Sequence, residues 1–196
     1  DGAYLVENFE NLNPANTYWD KYYRLFDDVD EEAPRFLEFE RWWGGFYLMN
    51  EEEIRWIVNN LFIGNKLSQG EARLGPGRYF DLKAIKQPII VFASMGDNIT
   101  PPQQAFNWIS DIYSSTEEIK ANGQTIVGLI HEDIGHLGIF VSGKVAKKEH
   151  TQIVSVLKYI QALPPGLYGM EIHERTSDDG TVEYDVTLHE RKLEDL

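Results

Sequence analysis

Two stretches of the chain are apolar without alternation. Ile89 to Ala93, in P-I-I-V-F-A-S-M-G-D, and Thr125 to Ile130, in Q-T-I-V-G-L-I, are short runs bounded by turn signals, the pattern of strands covered on both faces. Between them Phe106, Ile109, Ile112 and Tyr113 recur at helical spacing. That helix opens with Thr100 as its predicted N-cap, Pro101 and Pro102 in its first turn and Gln103 completing a capping box, and it ends near Ser114. A further short helical piece runs to Asn122-Gly123. Strand, helix and strand over this length predict a right-handed parallel crossover, hence an α/β fold.

The flanks read differently. Leu5, Phe9 and Leu12 are spaced as in a helix, although A-Y-L-V alone also fits a short strand. Asn16 to Phe26 places Tyr18, Tyr22, Leu25 and Phe26 on one helical face, and after the acidic break Asp27–Glu32 a new helix is predicted from Pro34 to Gly44-Gly45. Asn50, followed by Glu51, Glu52 and Glu53, caps a third helix with Ile54, Ile57, Val58, Leu61 and Phe62 on its apolar face and Gly64-Asn65 at its end. Leu67 to Tyr79 is an irregular loop or small hairpin, and Asp81 starts a tight turn. Beyond the second strand, a last helix from about Glu149 to Ala162 stops at Pro164-Pro165-Gly166. M-E-I-H-E-R-T and T-V-E-Y-D-V-T-L-H then alternate about Asp179-Gly180, which predicts a β-hairpin with a type I′ turn, either at a sheet edge or opening a further domain. The expected organisation is a helical cap over 1–66, an α/β core over 67–169 and a hairpin tail over 170–196.

Composition narrows the function. Eighteen Lys and Arg against 32 Asp and Glu give a net charge of -14, which repels phosphate backbones and anionic headgroups, so neither nucleic acid nor a membrane surface is an expected partner. There is no cysteine, hence no thiolate ligand or cysteine nucleophile within these residues. No apolar run approaches the roughly 20 residues of a membrane span and no signal peptide opens the chain, so the expected location is cytoplasmic.

Three motifs invite chemistry. H-E-D-I-G-H resembles a zinc-binding H-E-x-x-H, but His136 lies five rather than four residues after His131, which turns it about 140° away on a helix, and Gly135 breaks the helix. No metal or cofactor is therefore expected. Ser94 follows a strand in F-A-S-M-G, but Phe92 replaces the first glycine of a nucleophile elbow and the helix starts too late. Asp97 and His136 remain. Singly each reads as a satisfied loop residue; together, an acid after one parallel strand and a histidine after the next is the order in which a nucleophile–acid–histidine triad places its last two members.

The run D-L-x-x-I-x-x-P-I-I-V-F-x-S-x-G-D-N-I-T-P-P from Asp81 to Pro102, followed by I-G-H-L-G, resembles the C-terminal half of an α/β-hydrolase of the poly(3-hydroxyalkanoate) synthase type. Phe9 to Trp19 and Ile57 to Leu67 resemble that family's cap segment, and an uncharacterised bacterial branch of the family is the nearest in pattern. The resemblance implies a hydrolase or acyltransferase acting on hydroxyacyl esters or thioesters, with Asp97 and His136 as acid and base and the nucleophile outside these residues. Two strands with both faces apolar cannot form a sheet alone, so an upstream segment of the same protein or a cognate chain is expected to complete it, and the isolated chain is expected to be inactive. The alternative is a non-catalytic module of the same fold that binds an apolar ligand or protein partner.

Overall fold

The structure, a computed structural model, describes residues 14–45, 48–177 and 180–196. Contacts divide the chain into two compact units, Asp1–Ile54 and Arg55–Leu196. The predicted element between Ala3 and Leu12 lies outside the described residues.

In the first unit a π-helical turn, Ala15–Asp20, leads into α1, Lys21–Asp27. The next helix, α2, spans Val29–Gly44 and contains Pro34, so Asp27–Glu32 is not a break before a helix that starts at Pro34. The Asp28 carboxylate caps it by accepting the Glu31 N–H, and Asp30, Glu31 and Glu32 complement the dipole in its first turn. These end effects outweigh the missing Pro34 N–H. Lys21 joins the two helices through an ion pair with Glu40 and lies 5.0 Å from the Phe36 ring centroid. Trp19, Tyr22, Tyr23, Phe26 and Trp42 nevertheless remain exposed.

Asn50 opens α3, Glu51–Ile57, as predicted: its side chain accepts the Glu53 N–H at 2.8 Å while Glu53 accepts the Asn50 N–H at 2.9 Å. A π-helical turn, Val58–Phe62, follows, and Ile54 and Phe62 stay exposed instead of forming a buried face. The glycine-rich stretch is the small hairpin: β1, Arg73–Gly75, pairs antiparallel with β2, Arg78–Tyr79, across Gly77 at φ 70°.

The core is a four-stranded mixed sheet in the order β3-β4-β5-β6. The predicted apolar strands are β3, Ile89–Ser94, and β4, Thr125–His131, parallel and in register from Ile89 opposite Ile126 to Ser94 opposite His131. Joining them are α4, Pro102–Ile112, and α5, Thr116–Ala121. Continuous apolarity has the predicted cause. Val91, Ala93 and Ile126 pack with Phe106, Ile109 and Ile119 on one face, and Ile90, Phe92, Val127 and Leu129 pack with Ile153 and Ile160 on the other. Helix and sheet approach closely at Gly128, where a Cβ would lie 2.7 Å from the Phe106 ring.

Two parallel strands are expected from the sequence, whereas the sheet holds three. β5 begins at Gly166, immediately after the Pro-Pro pair, runs parallel to β4 through Gly169 and continues to Thr176, where it becomes the first strand of the hairpin with β6, Val182–Arg191. One strand thus serves both the parallel sheet and the antiparallel tail. The hairpin is at a sheet edge; Asp179 of its turn lies outside the described residues, and Gly180 has φ 82°. The last helical region is also less regular than its spacing suggests. A π-helical turn over Ala146–His150 precedes α7, Thr151–Ser155, and α8, Leu157–Ala162, which are separated at Val156; Ile160 is buried but Val154 is exposed. The short helix Gly138–Val141, α6, follows the histidine loop. No helix among the described residues is long and apolar enough to cross a membrane.

Candidate functional site

β3 and β4 end side by side, and the two loops that leave them carry Asp97 and His136. The loops are stitched together by backbone and by one serine. Met95 N–H donates to the His131 carbonyl at 2.9 Å, and Ser94, fully buried, donates its hydroxyl to the Ile134 carbonyl at 2.7 Å while accepting the Gly96 N–H at 3.2 Å. The Ser94 hydroxyl is thereby committed to holding the histidine loop. Gly96 makes the approach possible: a Cβ there would sit 2.4 Å from the carbonyl carbon and oxygen of Asp133. The second glycine of G-H-L-G has a similar reason, since a Cβ on Gly138 would lie 2.4 Å from Ile134 Cγ1.

On this frame Asp97 and His136 meet. The Asp97 side chain is inaccessible to solvent, and its Oδ2 lies 2.9 Å from His136 Nδ1. Oδ1 accepts the backbone N–H groups of Ile99 and Thr100, each at 2.9 Å, and Oδ2 accepts the Thr100 hydroxyl at 2.8 Å. Burial alone pushes the Asp97 carboxyl upward. The Thr100 N–H, His136, the Thr100 hydroxyl and the Ile99 N–H together outweigh it, so the group ionises below its ordinary value. An ionised acceptor at Oδ2 requires Nδ1 to carry a proton. Neutral His136 therefore presents a bare Nε2, to which no described residue hydrogen-bonds, on a side chain about one-fifth exposed. A base held in one tautomer by a buried carboxylate, with its other nitrogen free, can take a proton from a nucleophile.

Thr100, expected to cap α4, instead serves this carboxylate; Pro101 occupies the N-cap position and α4 starts at Pro102. The D-x-x-T spacing carries the signal, because a carboxylate accepts the N–H two and three residues on in an Asx-type turn. His131 ends β4, as read from the sequence, and belongs to a different cluster. Its Nδ1 accepts the Asp133 N–H at 3.3 Å, and its Nε2 faces Oε1 of the buried Glu149 at 3.5 Å. Glu149, which the sequence reading placed only as the start of the last helix, keeps its Oε2 without a hydrogen-bond partner among the described residues.

The fold and site define an α/β unit that presents a carboxylate–imidazole pair at the carboxyl ends of adjacent parallel strands. The chain belongs to the family described as protein of unknown function (DUF3141), whose model matches residues 1–196. It is 57% identical over 168 residues to the "uncharacterized protein in ackA 5′region" of Rhizobium meliloti, covering 86% of this chain and 23% of that protein. More distantly, it is 29% identical over 157 residues to the poly(3-hydroxyalkanoate) polymerase subunit PhaC of Allochromatium vinosum, covering 78% of the chain and 40% of the subunit. It is also 27% identical over 143 residues to the PhaC of Haloferax mediterranei, covering 72% of the chain and 27% of that subunit. The chain thus spans less than half the length of each of these relatives. No solved structure gives a significant match.

Proposed function

We propose that this chain is the acid- and base-bearing part of an α/β-hydrolase-type enzyme that transfers or hydrolyses acyl groups, with (hydroxy)acyl esters or thioesters as its substrate class. The observation that carries the reading is the buried Asp97 carboxylate 2.9 Å from His136 Nδ1, with Nε2 left free. Similarity to polymerase subunits supports the acyl chemistry. His136 Nε2 takes the proton of a serine or cysteine nucleophile as that atom bonds to the acyl carbon, then returns it to the departing alcohol or thiol; Asp97 stays ionised and stabilises the imidazolium.

The nucleophile comes from a segment that adds to the open edge of β3. The two outer strands differ in a way that supports this assignment. β6 carries Glu183, Asp185, Glu190 and Arg191, charges that discourage further pairing, whereas β3 reads I-I-V-F-A-S and carries none. The aromatic helices α1 and α2 serve as part of a cap segment in this reading. The 196-residue chain alone should not turn over a short acyl p-nitrophenyl ester, whereas the complete polypeptide should. Turnover by the chain alone that disappears in His136→Ala would place the nucleophile within these residues and overturn the split-site arrangement. A non-catalytic binding module is favoured by one observation, the exposed Trp19, Tyr23, Phe26 and Trp42, and would leave the complete polypeptide inert as well.

A further inference from the structure

Thr100 makes three bonds into the acid–base pair. Its N–H donates to Asp97 Oδ1 at 2.9 Å, its hydroxyl lies 2.8 Å from Asp97 Oδ2, and the same oxygen lies 3.1 Å from His136 Nδ1. Proton accounting leaves one consistent arrangement. The carboxylate can only accept, so the hydroxyl proton points at Oδ2. Nδ1 faces Oδ2 at 2.9 Å, so Nδ1 must be the protonated nitrogen, and the Thr100 oxygen offers it a lone pair. The Nδ1 proton is then shared between two acceptors, Asp97 Oδ2 and Thr100 Oγ1. If Nδ1 were bare, two lone-pair centres would oppose each other at 2.9 Å with no proton between them.

We infer that Thr100 is a positioning residue for His136: its hydroxyl closes a three-membered hydrogen-bond ring with Asp97 and His136 that fixes the imidazole tautomer and its rotation. The inference rests on the proposed function for its consequence in turnover, but not for its geometry. The backbone explains why a threonine suits this position. The Asp97 turn already fixes the Thr100 N–H, and the β-branch leaves few rotamers for the hydroxyl, so it is held where both partners can reach it. Serine supplies the same oxygen with a freer χ1; valine keeps the shape and removes the oxygen.

The direct test is nitrogen NMR of the histidine side chains in the 196-residue chain, comparing wild type with Thr100→Val and Thr100→Ser. Wild type should show His136 as a single Nδ1–H tautomer with a slowly exchanging, downfield proton. Thr100→Ser should keep that signature. Thr100→Val should lose the slow exchange and show a mixed tautomer, while the backbone amide spectrum of β3 and β4 stays in place. In the complete polypeptide, Thr100→Val should lower kcat about tenfold or more with little change in KM, the effect of removing one charge-assisted hydrogen bond, and Thr100→Ser should recover most of it. An unchanged His136 signature in Thr100→Val would overturn the inference whatever the turnover. The predicted tautomer pattern in a complete polypeptide that lacks acyl turnover would instead overturn the catalytic reading and leave the positioning intact.

Discussion

Gly96 and Ser94 do as much for the site as the two residues that define it. Gly96 admits the Asp133–Ile134 backbone, and a methyl group there would meet it at 2.4 Å, so Gly96→Ala should push the histidine loop away and destabilise the fold by about 1–3 kcal/mol, read as a lower urea midpoint. Ser94→Ala removes the donor to the part-buried Ile134 carbonyl and the acceptor of the Gly96 N–H, which should lower stability by about 1–3 kcal/mol without removing Asp97 or His136. A midpoint unchanged in both variants would mean that the loops are not held through this contact. Of these residues, Asp97 and His136 were legible in the sequence because each follows an apolar strand. Ser94 was legible only as a poor nucleophile. The role of Gly96 depends on which loop passes over it, and Thr100 looked like a helix cap because an Asx turn and an N-cap use the same residue types at nearly the same spacing.

At the scale of elements, the turn before β3 is anchored to the first turn of α5 by Glu118. It accepts from Lys83 Nζ and from the N–H and hydroxyl of Ser114, which together hold its carboxyl down from 4.5 to about 2, with the Lys83 bond the largest contribution. A carboxyl whose folded pKa is depressed stabilises the fold above its unfolded value, and that contribution fades as pH falls through the folded one. Asp97 acts in the same direction. Urea midpoints should therefore decline from about pH 4.5 toward pH 2, and Glu118→Gln should flatten the decline; a wild-type profile that rises over that window would contradict the assignment. Ile160, fully buried between α8 and the sheet, tests the other face: Ile160→Ala should cost about 2–5 kcal/mol. The helix–strand alternation of this region was legible from residue spacing, as was Asn50 as an N-cap, whereas the return bond from its N–H to Glu53 was not. The start of β5 was not. Pro164-Pro165-Gly166 reads as a helix stop, and Leu167 to Met170 is too short an apolar run to declare a third parallel strand until β4 is seen beside it.

For the whole molecule, the sheet has one charged edge and one apolar edge, and the carboxylate–imidazole pair lies beyond the ends of β3 and β4. An apolar edge strand left open invites pairing, so the 196-residue chain should associate with increasing concentration, measurable by sedimentation, and a peptide or segment that adds to β3 should suppress that association. A monomer that persists through high micromolar concentration would argue against an available edge. The α/β class and the parallel crossover were legible from two unbroken apolar runs, because a strand covered on both faces carries apolar side chains on each. The proposal that Asp97 orients His136 as the base of an acyl-transfer site is tested most directly by the turnover of an acyl thioester by the proposed longer polypeptide that carries the nucleophile and by its Asp97→Asn variant. kcat should fall about 10⁴-fold with the fold retained, because an amide at this position no longer holds the Nδ1–H tautomer; turnover in Asp97→Asn equal to wild type would contradict this role of Asp97.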